Sequence, residues 1–138
     1  MRSLAICLLL LGMHSADAAV TIATATDDAS IDAAARKANA DVMRRALADV
    51  VAPVRGPARQ IDASIIAWHV ETVGTQIEVT ASLQFAICDA HGQLVSIVSG
   101  RATITAPRRS AQLPDLRKQA VETAVKTSKL RAALQPAV

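Results

Sequence analysis

Residues 75–88, with the sequence TQIEVTASLQFAIC, decide the fold because polar and apolar side chains alternate along them. The apolar residues recur at every second position, which is the spacing at which a β-strand turns side chains toward one face. The polar residues between them indicate that the other face meets water, as in an antiparallel strand covered on one side. This stretch therefore predicts a long, half-buried strand. Its apolar face consists of Ile77, Val79, Ala81, Leu83, Phe85 and Ile87.

The segment after this strand predicts a hairpin. Residues 89–92 (DAHG) combine an Asp with a Gly that can adopt positive φ, which is typical of a turn. The run 93–106 that follows is rich in Val, Ile, Ser and Thr, and a four-residue turn would place Leu83 opposite Val98. The small Gly100 on the same face leaves room for a helix to pack closely.

The segment before the central strand, residues 58–70, predicts a third strand. Pairing Val70 with Thr75 puts Trp68 and Ile66 on the same buried face. In this arrangement 58–70 is an exposed edge of the sheet, and an exposed edge can pair with another chain. A homodimer through this edge strand is therefore one hypothesis.

Two helices and a short strand complete the predicted domain. Residues 20–26 (VTIATAT) alternate weakly and indicate a short strand. Apolar residues from Ile31 onward recur at three- and four-residue spacing and predict a helix over about 30–51. Pro114 begins a second predicted helix that extends to about 134, giving about 114–134. The sequence thus predicts an α+β two-layer sandwich, with an antiparallel sheet that carries both helices on one face.

The N-terminus has the three parts of a secretory signal peptide. One positive charge precedes an apolar run at residues 4–13, and the small-residue pattern A-x-A follows it. The run is too short to span a membrane, which takes about 20 apolar residues. We therefore expect cleavage after Ala18 or Ala19, a signal peptide at 1–18, and a single domain at 19–138. The product would be exported, to the periplasm or outside the cell, without spanning a membrane.

Aromatic residues are nearly absent: the chain has no Tyr, one Trp and one Phe. Aromatic side chains form the stacking platforms of lectins and of proteins that bind single-stranded nucleic acid. The composition therefore argues against sugar stacking and nucleic-acid binding. Partners in the cell envelope, either proteins or anionic material, are the remaining expectation.

Positive charge is concentrated at the C-terminal end. The formal net charge is +3, yet residues 101–138 hold eight Lys or Arg against two acidic residues. Such a basic segment is able to bind anionic lipid or glycan of the envelope, and it is also compatible with a solvated helix surface. The residues that we predict as contacts are Arg108, Arg109, Arg117 and Lys118.

Chemistry-bearing residues are few, and no catalytic motif is present in the sequence. Cys88 and His91 lie close together, which leaves a small thiol enzyme as a third alternative. The predicted register puts His69 roughly 40 Å from Cys88, too far to share a site. Two ligands on a tight turn make a weak metal site. We therefore expect a non-enzymatic protein with no cofactor and no metal.

The order of these features resembles small bacterial envelope proteins of the curli-secretion and penicillin-binding-protein-activator lipoprotein type. The resemblance rests on a strand that ends in 89–92 (DAHG), a following strand that reaches Gly100, and an Ala-rich closing helix around 119–125 (QAVETAV). It implies a non-catalytic accessory that binds other envelope proteins. Members of that group are lipid-anchored after the apolar run, whereas Cys7 lies within it. The expected function is thus an exported accessory or adaptor that acts through protein contacts.

Overall fold

The computed structural model describes residues 19–135. The expected signal peptide, 1–18, lies outside the described residues, as do positions 136–138 of the predicted domain. A short 3-10 turn, Arg108–Ser110, precedes the second helix. In chain order the elements are β1 (Val20–Asp27), α1 (Ala33–Val51), β2 (Arg59–Val73), β3 (Gln76–Asp89), β4 (Leu94–Pro107), α2 (Leu113–Thr127) and α3 (Leu130–Leu134).

The four strands form one sheet in the order β1-β2-β3-β4, with α1 and α2 packed on the same face. This arrangement confirms the α+β two-layer sandwich. The sheet is mixed rather than wholly antiparallel, because β1 runs parallel to β2. Helix α1 carries the chain from the end of β1 back to the start of β2, so the two strands run in the same direction.

Helix α1 begins later than the sequence predicted. Asp32 is its N-cap, and the Asp32 carboxylate accepts a hydrogen bond from the backbone N–H of Ala35 at 2.8 Å. Ile31 was predicted to begin the apolar face of this helix, but it precedes the cap and is 92% exposed. The buried face is instead formed by residues farther along, among them Met43 and Leu47, which are fully buried.

The predicted helix 114–134 is divided into α2 and α3. Ser128 leaves the helical conformation, with ψ at 168°. Its hydroxyl donates to the backbone oxygen of Val125 at 2.8 Å and accepts from the N–H of Leu130 at 3.3 Å. These side-chain bonds replace helical ones and turn the chain, so that Leu130 and Leu134 become buried.

The β3–β4 hairpin forms with a register two residues away from the predicted one. Leu83 lies opposite Gly100, not Val98. The turn holds three residues rather than four, since the N–H of Asp89 donates to the backbone oxygen of Gln93. The shorter turn accounts for one residue of the shift. A β-bulge at Val95 in β4 accounts for the other. An even shift keeps each side chain on its predicted face.

The β2–β3 hairpin also differs in register. Val73 pairs with Gln76 around a two-residue turn in which Gly74 has φ +62°, whereas the sequence indicated a Val70–Thr75 pairing. A β-bulge in β2 at Ile66 interrupts the pairing. The prediction that Ile66 is buried is wrong, because the bulge leaves it 52% exposed.

The unpaired edge of β2 is shorter than the sequence indicated. Residues 58–70 were predicted to form an exposed edge, but β1 pairs with β2 as far as Ile65. Beyond that point, residues 67–73 have β3 on one side and no strand of the described chain on the other. We call residues 67–82, the part of the β2–β3 hairpin beyond β1, the arm.

Candidate contact surfaces

The four predicted basic contact residues lie in three separate places. Arg108 and Arg109 occupy the 3-10 turn between β4 and α2, where both are exposed. The N–H of Arg108 donates to the backbone oxygen of Thr75 at 2.8 Å, which ties this turn to the tip of the arm. Their guanidinium groups are therefore available to solvent beside the arm.

Arg117 stacks on an aromatic ring instead of pointing into solvent. Its Cζ lies 5.6 Å from the centroid of the Trp68 ring, within cation–π range. The side chain is half-buried, and its Nε has no hydrogen-bond partner among residues 19–135. Arg117 therefore covers the base of the arm and contributes less to an external contact than the sequence indicated.

Lys118 projects in another direction because successive residues of a helix lie about 100° apart. It lines a groove between α1 and α2 of about 470 Å³, and we call this the interhelix groove. Lys118 and Arg45 contribute positive charge to it, and Asp49 and Glu122 contribute negative charge. The groove is thus mixed in charge.

A second depression of about 360 Å³ extends along the same helices, past Lys126 and Arg131. The Nζ of Lys126 donates to a Glu122 carboxylate oxygen at 3.0 Å. This hydrogen bond, together with the negative charge of Glu122, raises the pKa of Lys126. Lys126 therefore remains protonated but is already engaged by an acid, so part of the basic character of α2 is neutralised within the helix.

The residues proposed for thiol chemistry are placed apart from one another. Cys88 is fully buried on β3, whereas His91 is exposed in the turn that follows. A buried sulfur does not favour access by a substrate. His69 pairs with Thr80 in the arm, eight residues along β3 from Cys88, or about 26 Å. The distance is shorter than predicted, yet it still keeps His69 out of any site that includes Cys88.

Asp89 organises the turn that carries His91. One Asp89 carboxylate oxygen accepts the backbone N–H groups of His91 and Gln93, both at 2.9 Å. The bond from Gln93 is the main reason that the pKa of Asp89 lies below its ordinary value, and the bond from His91 acts in the same direction. The carboxylate thus fixes the backbone of the turn.

Sequence reasoning missed the most highly connected polar side chain, Asp27 at the end of β1. It is 3% exposed, and its carboxylate accepts hydrogen bonds from Asn39 Nδ2 at 2.9 Å and from Trp68 Nε1 at 3.3 Å. The backbone N–H groups of Ala29 and Ser30 donate to it as well, each at 3.1 Å. Asp27 therefore joins β1, α1 and the base of the arm. In the sequence, Asp27 and Asp28 are an adjacent acidic pair shortly before a predicted helix, a position that helix capping alone explains.

A second feature that the sequence did not reveal is an apolar patch at the β3–β4 turn. Three large apolar residues of this region are about half exposed: Leu94 at 49%, Val95 at 49% and Ile97 at 52%. Ile97 lies opposite Ala86, on the face of the sheet away from the helices. We call these three residues the apolar corner. The sequence did not predict this patch, because the exposure of these residues depends on the β-bulge at Val95, and the bulge depends on how the turn forms.

No group of three or more His, Cys, Asp or Glu side chains among residues 19–135 is placed to hold a metal ion. None of the helices in the same range is long and apolar enough to cross a membrane.

The fold described here is that of bacterial lipoproteins of known structure. A putative lipoprotein from Caulobacter crescentus superposes with a TM-score of 0.54 at 14% identity, over 85% of this chain and 88% of that chain. A minor lipoprotein from Acinetobacter baumannii superposes with a TM-score of 0.50 at 8% identity, over 85% of this chain and 90% of that chain. No protein-family model and no curated protein matches the sequence.

Proposed function

We propose that this protein is an exported, non-enzymatic accessory of the bacterial cell envelope that acts by binding another envelope protein. Two features support the location: the signal-peptide pattern at residues 1–18, and a fold shared with bacterial lipoproteins. The finer assignment, to the curli-secretion or penicillin-binding-protein-activator type, rests on the sequence resemblance around residues 89–125.

The observation that carries the proposal is the apolar corner. Leu94, Val95 and Ile97 lie next to one another on a hairpin whose turn is fixed by Asp89. Covering apolar surface is worth roughly 25 cal/mol per Å², and apolar residues grouped at one place on a surface mark contact sites. A rigid support lowers the entropic cost of binding, since little of the hairpin must become ordered.

Site-specific photo-crosslinking in cells tests this proposal. A photoreactive amino acid at Val95 or at Ile97 should give a discrete crosslinked protein band that mass spectrometry identifies. The matched control is Thr103, which lies on the same strand and on the same face as Ile97 but away from the corner.

A band from Val95 and Ile97 that is absent from Thr103 supports binding through the corner. Equal labelling at all three positions, or no protein adduct at any of them, contradicts it. A charge substitution, Ile97→Lys, should remove the band that a reagent at Val95 gives, because a buried unpaired charge at the contact is costly.

Binding of anionic lipid or glycan is the second candidate, and the helix layer favours it. The two main helices and the short one that follows carry more basic than acidic residues, and the exposed Arg108 and Arg109 lie beside them. The basic residues of these helices are Arg36, Lys37, Arg44, Arg45, Arg117, Lys118, Lys126 and Arg131, with Lys129 at the N-cap of α3, against Asp41, Asp49, Asp115 and Glu122.

Vesicle flotation separates the two candidates. Binding to phosphatidylglycerol vesicles should weaken steeply as salt rises from low to physiological concentration, because exposed charges are screened. It should also fall in an Arg108→Glu/Arg109→Glu variant. Binding that is absent, or that does not depend on salt, excludes this second candidate and leaves the protein contact.

A further inference from the structure

The arm has one unpaired edge, which is a feature separate from the apolar corner at the opposite end of the sheet. The last β1–β2 pair is Asp27 with Ile65, and the N–H of Asp28 donates to the backbone oxygen of Ile65 at 3.0 Å. Along 67–73 no further strand of the described chain pairs with β2, and no turn or loop bond within residues 19–135 reaches this edge. About every second residue of 67–73 thus presents its backbone N–H and C=O to this open side, and the residues between bond to β3.

The side chains of this edge are unusual for a surface that meets only water. Ile66 is 52% exposed, Val70 39% and Val73 48%. Native proteins protect an edge strand with charge, proline or a covering element, because an unprotected apolar edge pairs with other chains. Along 67–73 the described chain supplies no proline and no covering element, and Glu71 is the one acidic residue, so a covering strand is expected.

We propose that the covering strand is the same segment of a second copy of this chain, paired antiparallel across a two-fold axis at Val70. Residue 70 is the midpoint of 67–73, so this register uses the whole free edge of both copies. A two-fold axis makes the contact self-complementary and closes the assembly at a dimer. The result is one continuous sheet in which the two arms lie side by side.

Charge supports this register over its neighbours. With Val70 on the axis, His69 of each copy lies opposite Glu71 of the other. In this register the residue numbers of each pair add to 140. Another register keeps the same side chains on the same face only if this sum changes by two. The two nearest such registers place His69 opposite His69, or Glu71 opposite Glu71. Since like groups directly opposite are destabilising, the register centred on Val70 is favoured.

The arm of a single chain leaves a charge problem that the second copy reduces. Glu71 lies directly opposite Glu78 in the β2–β3 pairing. The His69 imidazole of the same chain lies beside this pair, with its Nε2 3.2 Å from a Glu71 oxygen. In the dimer, His69 of the second copy would lie opposite Glu71, one strand farther from Glu78. Its imidazole would give the Glu71 carboxylate a second hydrogen-bonding partner.

The contact is small, so the dimer should be weak. Seven residues a side compares with the 20–30 residues a side of a standard interface. We therefore test the oligomeric state of the purified, exported protein by sedimentation over a concentration range from about 10 µM to about 1 mM. The expected result is a mass that rises from monomer toward dimer.

Two charge variants test the position of the contact. Val70→Lys places two cations on the axis and should weaken association about tenfold or more. Ile97→Lys changes an apolar residue at the apolar corner that is 52% exposed, against 39% for Val70, and should leave association unchanged. Glu71→Lys should weaken the dimer, and the double variant His69→Glu/Glu71→Lys should restore it, because opposite charges again face each other.

One introduced cysteine per variant reads the register directly. With Val70 on the axis, Val70→Cys brings two sulfurs to the separation of directly opposed strand residues, which a disulfide can bridge. Thr72→Cys is the matched control on the same face, where the two copies of residue 72 are four residues out of register, about 13 Å apart. Val70→Cys should give a disulfide-linked dimer on mild oxidation, and Thr72→Cys should not.

Three results would overturn the proposal. A monomer mass throughout the concentration range removes the dimer. Association that Ile97→Lys weakens as strongly as Val70→Lys moves the contact away from the arm. Linkage at residue 72 rather than 70 refutes the register. Circular dichroism and Trp68 fluorescence, unchanged from the parent protein, show that each variant is folded.

Discussion

The two halves of β2 have similar compositions and opposite surroundings. In the first half, Ile61, Ala63 and Ile65 are fully buried. In the second half, Val70 and Val73 are exposed by 39% and 48%. The halves meet at the bulge of Ile66, where β1 also ends. The difference is therefore one of neighbours, because the first half has a strand beside it and helices above it, while the second has β3 alone along most of its length.

Asp27 marks the boundary between these halves. Asp27 is the last residue of β1, and its carboxylate accepts hydrogen bonds from the N–H of Ala29, from Asn39 of α1 and from the indole of Trp68. The guanidinium of Arg117 lies over the ring of the same indole. Contacts to Trp68 thus fix the base of the arm to the rest of the domain. Beyond this base, the open edge of β2 has no neighbouring strand in the described chain. Four predictions test this contrast, from the largest expected effect to the smallest.

Adjacent isoleucines give the sharpest test. Ile65→Ala should lower the free energy of unfolding by about 2–5 kcal/mol, because the residue is fully buried. Ile66→Ala should change it by about 0.5 kcal/mol or less, since that side chain is half exposed. Urea unfolding of both variants at low protein concentration measures the pair. Similar losses would show that the bulge does not separate two environments.

Removing the boundary carboxylate should be the next largest effect. Asp27→Ala leaves the amide of Asn39 and the indole of Trp68 without their acceptor, and each buried unpaired donor costs about 1–3 kcal/mol. We expect a total loss of about 2–4 kcal/mol of unfolding free energy. Trp68 is the one tryptophan of the chain, so its fluorescence should shift to the red as the indole meets water.

Asp28→Ala is the matched control for this substitution, because Asp28 is adjacent in sequence but exposed. It should leave both stability and emission close to those of the parent. Equal losses of unfolding free energy in the two variants would contradict a stabilising role for the hydrogen bonds that the Asp27 carboxylate accepts from Asn39 and Trp68.

Gly100 and Gly74 are expected to be required for different reasons, the first for close packing and the second for its backbone conformation. At Gly100, in the body, an added Cβ would lie 2.8 Å from the backbone oxygen of Ala124 and 3.3 Å from Phe85. Gly100→Ala should therefore cost about 1–3 kcal/mol by forcing α2 away. At Gly74, in the arm, nothing lies within 4 Å, but φ is +62°. Gly74→Ala should cost about 1 kcal/mol, from backbone strain alone.

Crystal structures and unfolding measurements distinguish these two causes. The Gly100 variant should show a displaced α2, while the Gly74 variant should keep its surroundings unchanged. An unmoved helix in a destabilised Gly100→Ala protein would contradict close packing as the reason for that glycine.

The smallest effect concerns the turn at the other end of β3. Because backbone N–H groups bind the Asp89 carboxylate, its folded pKa lies below the ordinary value of 3.8. The ionised form is thus favoured in the folded state, so its contribution is complete above the unfolded pKa and is lost as pH falls through the folded pKa. A carboxyl NMR titration should find a pKa below 3.8. Asp89→Asn should show a slightly smaller loss of stability on acidification, and a carboxyl pKa at or above 3.8 would contradict this account.

The candidate contacts show where prediction from the sequence stops. The number and sign of the basic residues near the C-terminus were readable, and Arg108 and Arg109 are exposed. The sequence could not show that Arg117 turns onto Trp68 while Lys118 turns into the interhelix groove. Those directions depend on which face of α2 meets the sheet. Asp27 was missed for a related reason, since its partners Asn39 and Trp68 come from distant parts of the chain. The apolar corner was missed because the β-bulge at Val95 depends on how β4 pairs with β3.

The sequence by itself determined the strands, the helices and the side of the sheet that the core occupies. Alternation and helical spacing are local properties, and the even shift in the β3–β4 register left its faces intact. Only the tertiary structure decided that β1 pairs parallel to β2 and that the bulge at Ile66 reverses which residues of β2 face the helices. It also decided that the unpaired edge of β2 is 67–73 rather than 58–70. The physical reason is that pairing partners and bulges are set by contacts between segments far apart in the chain, where the local pattern carries no information.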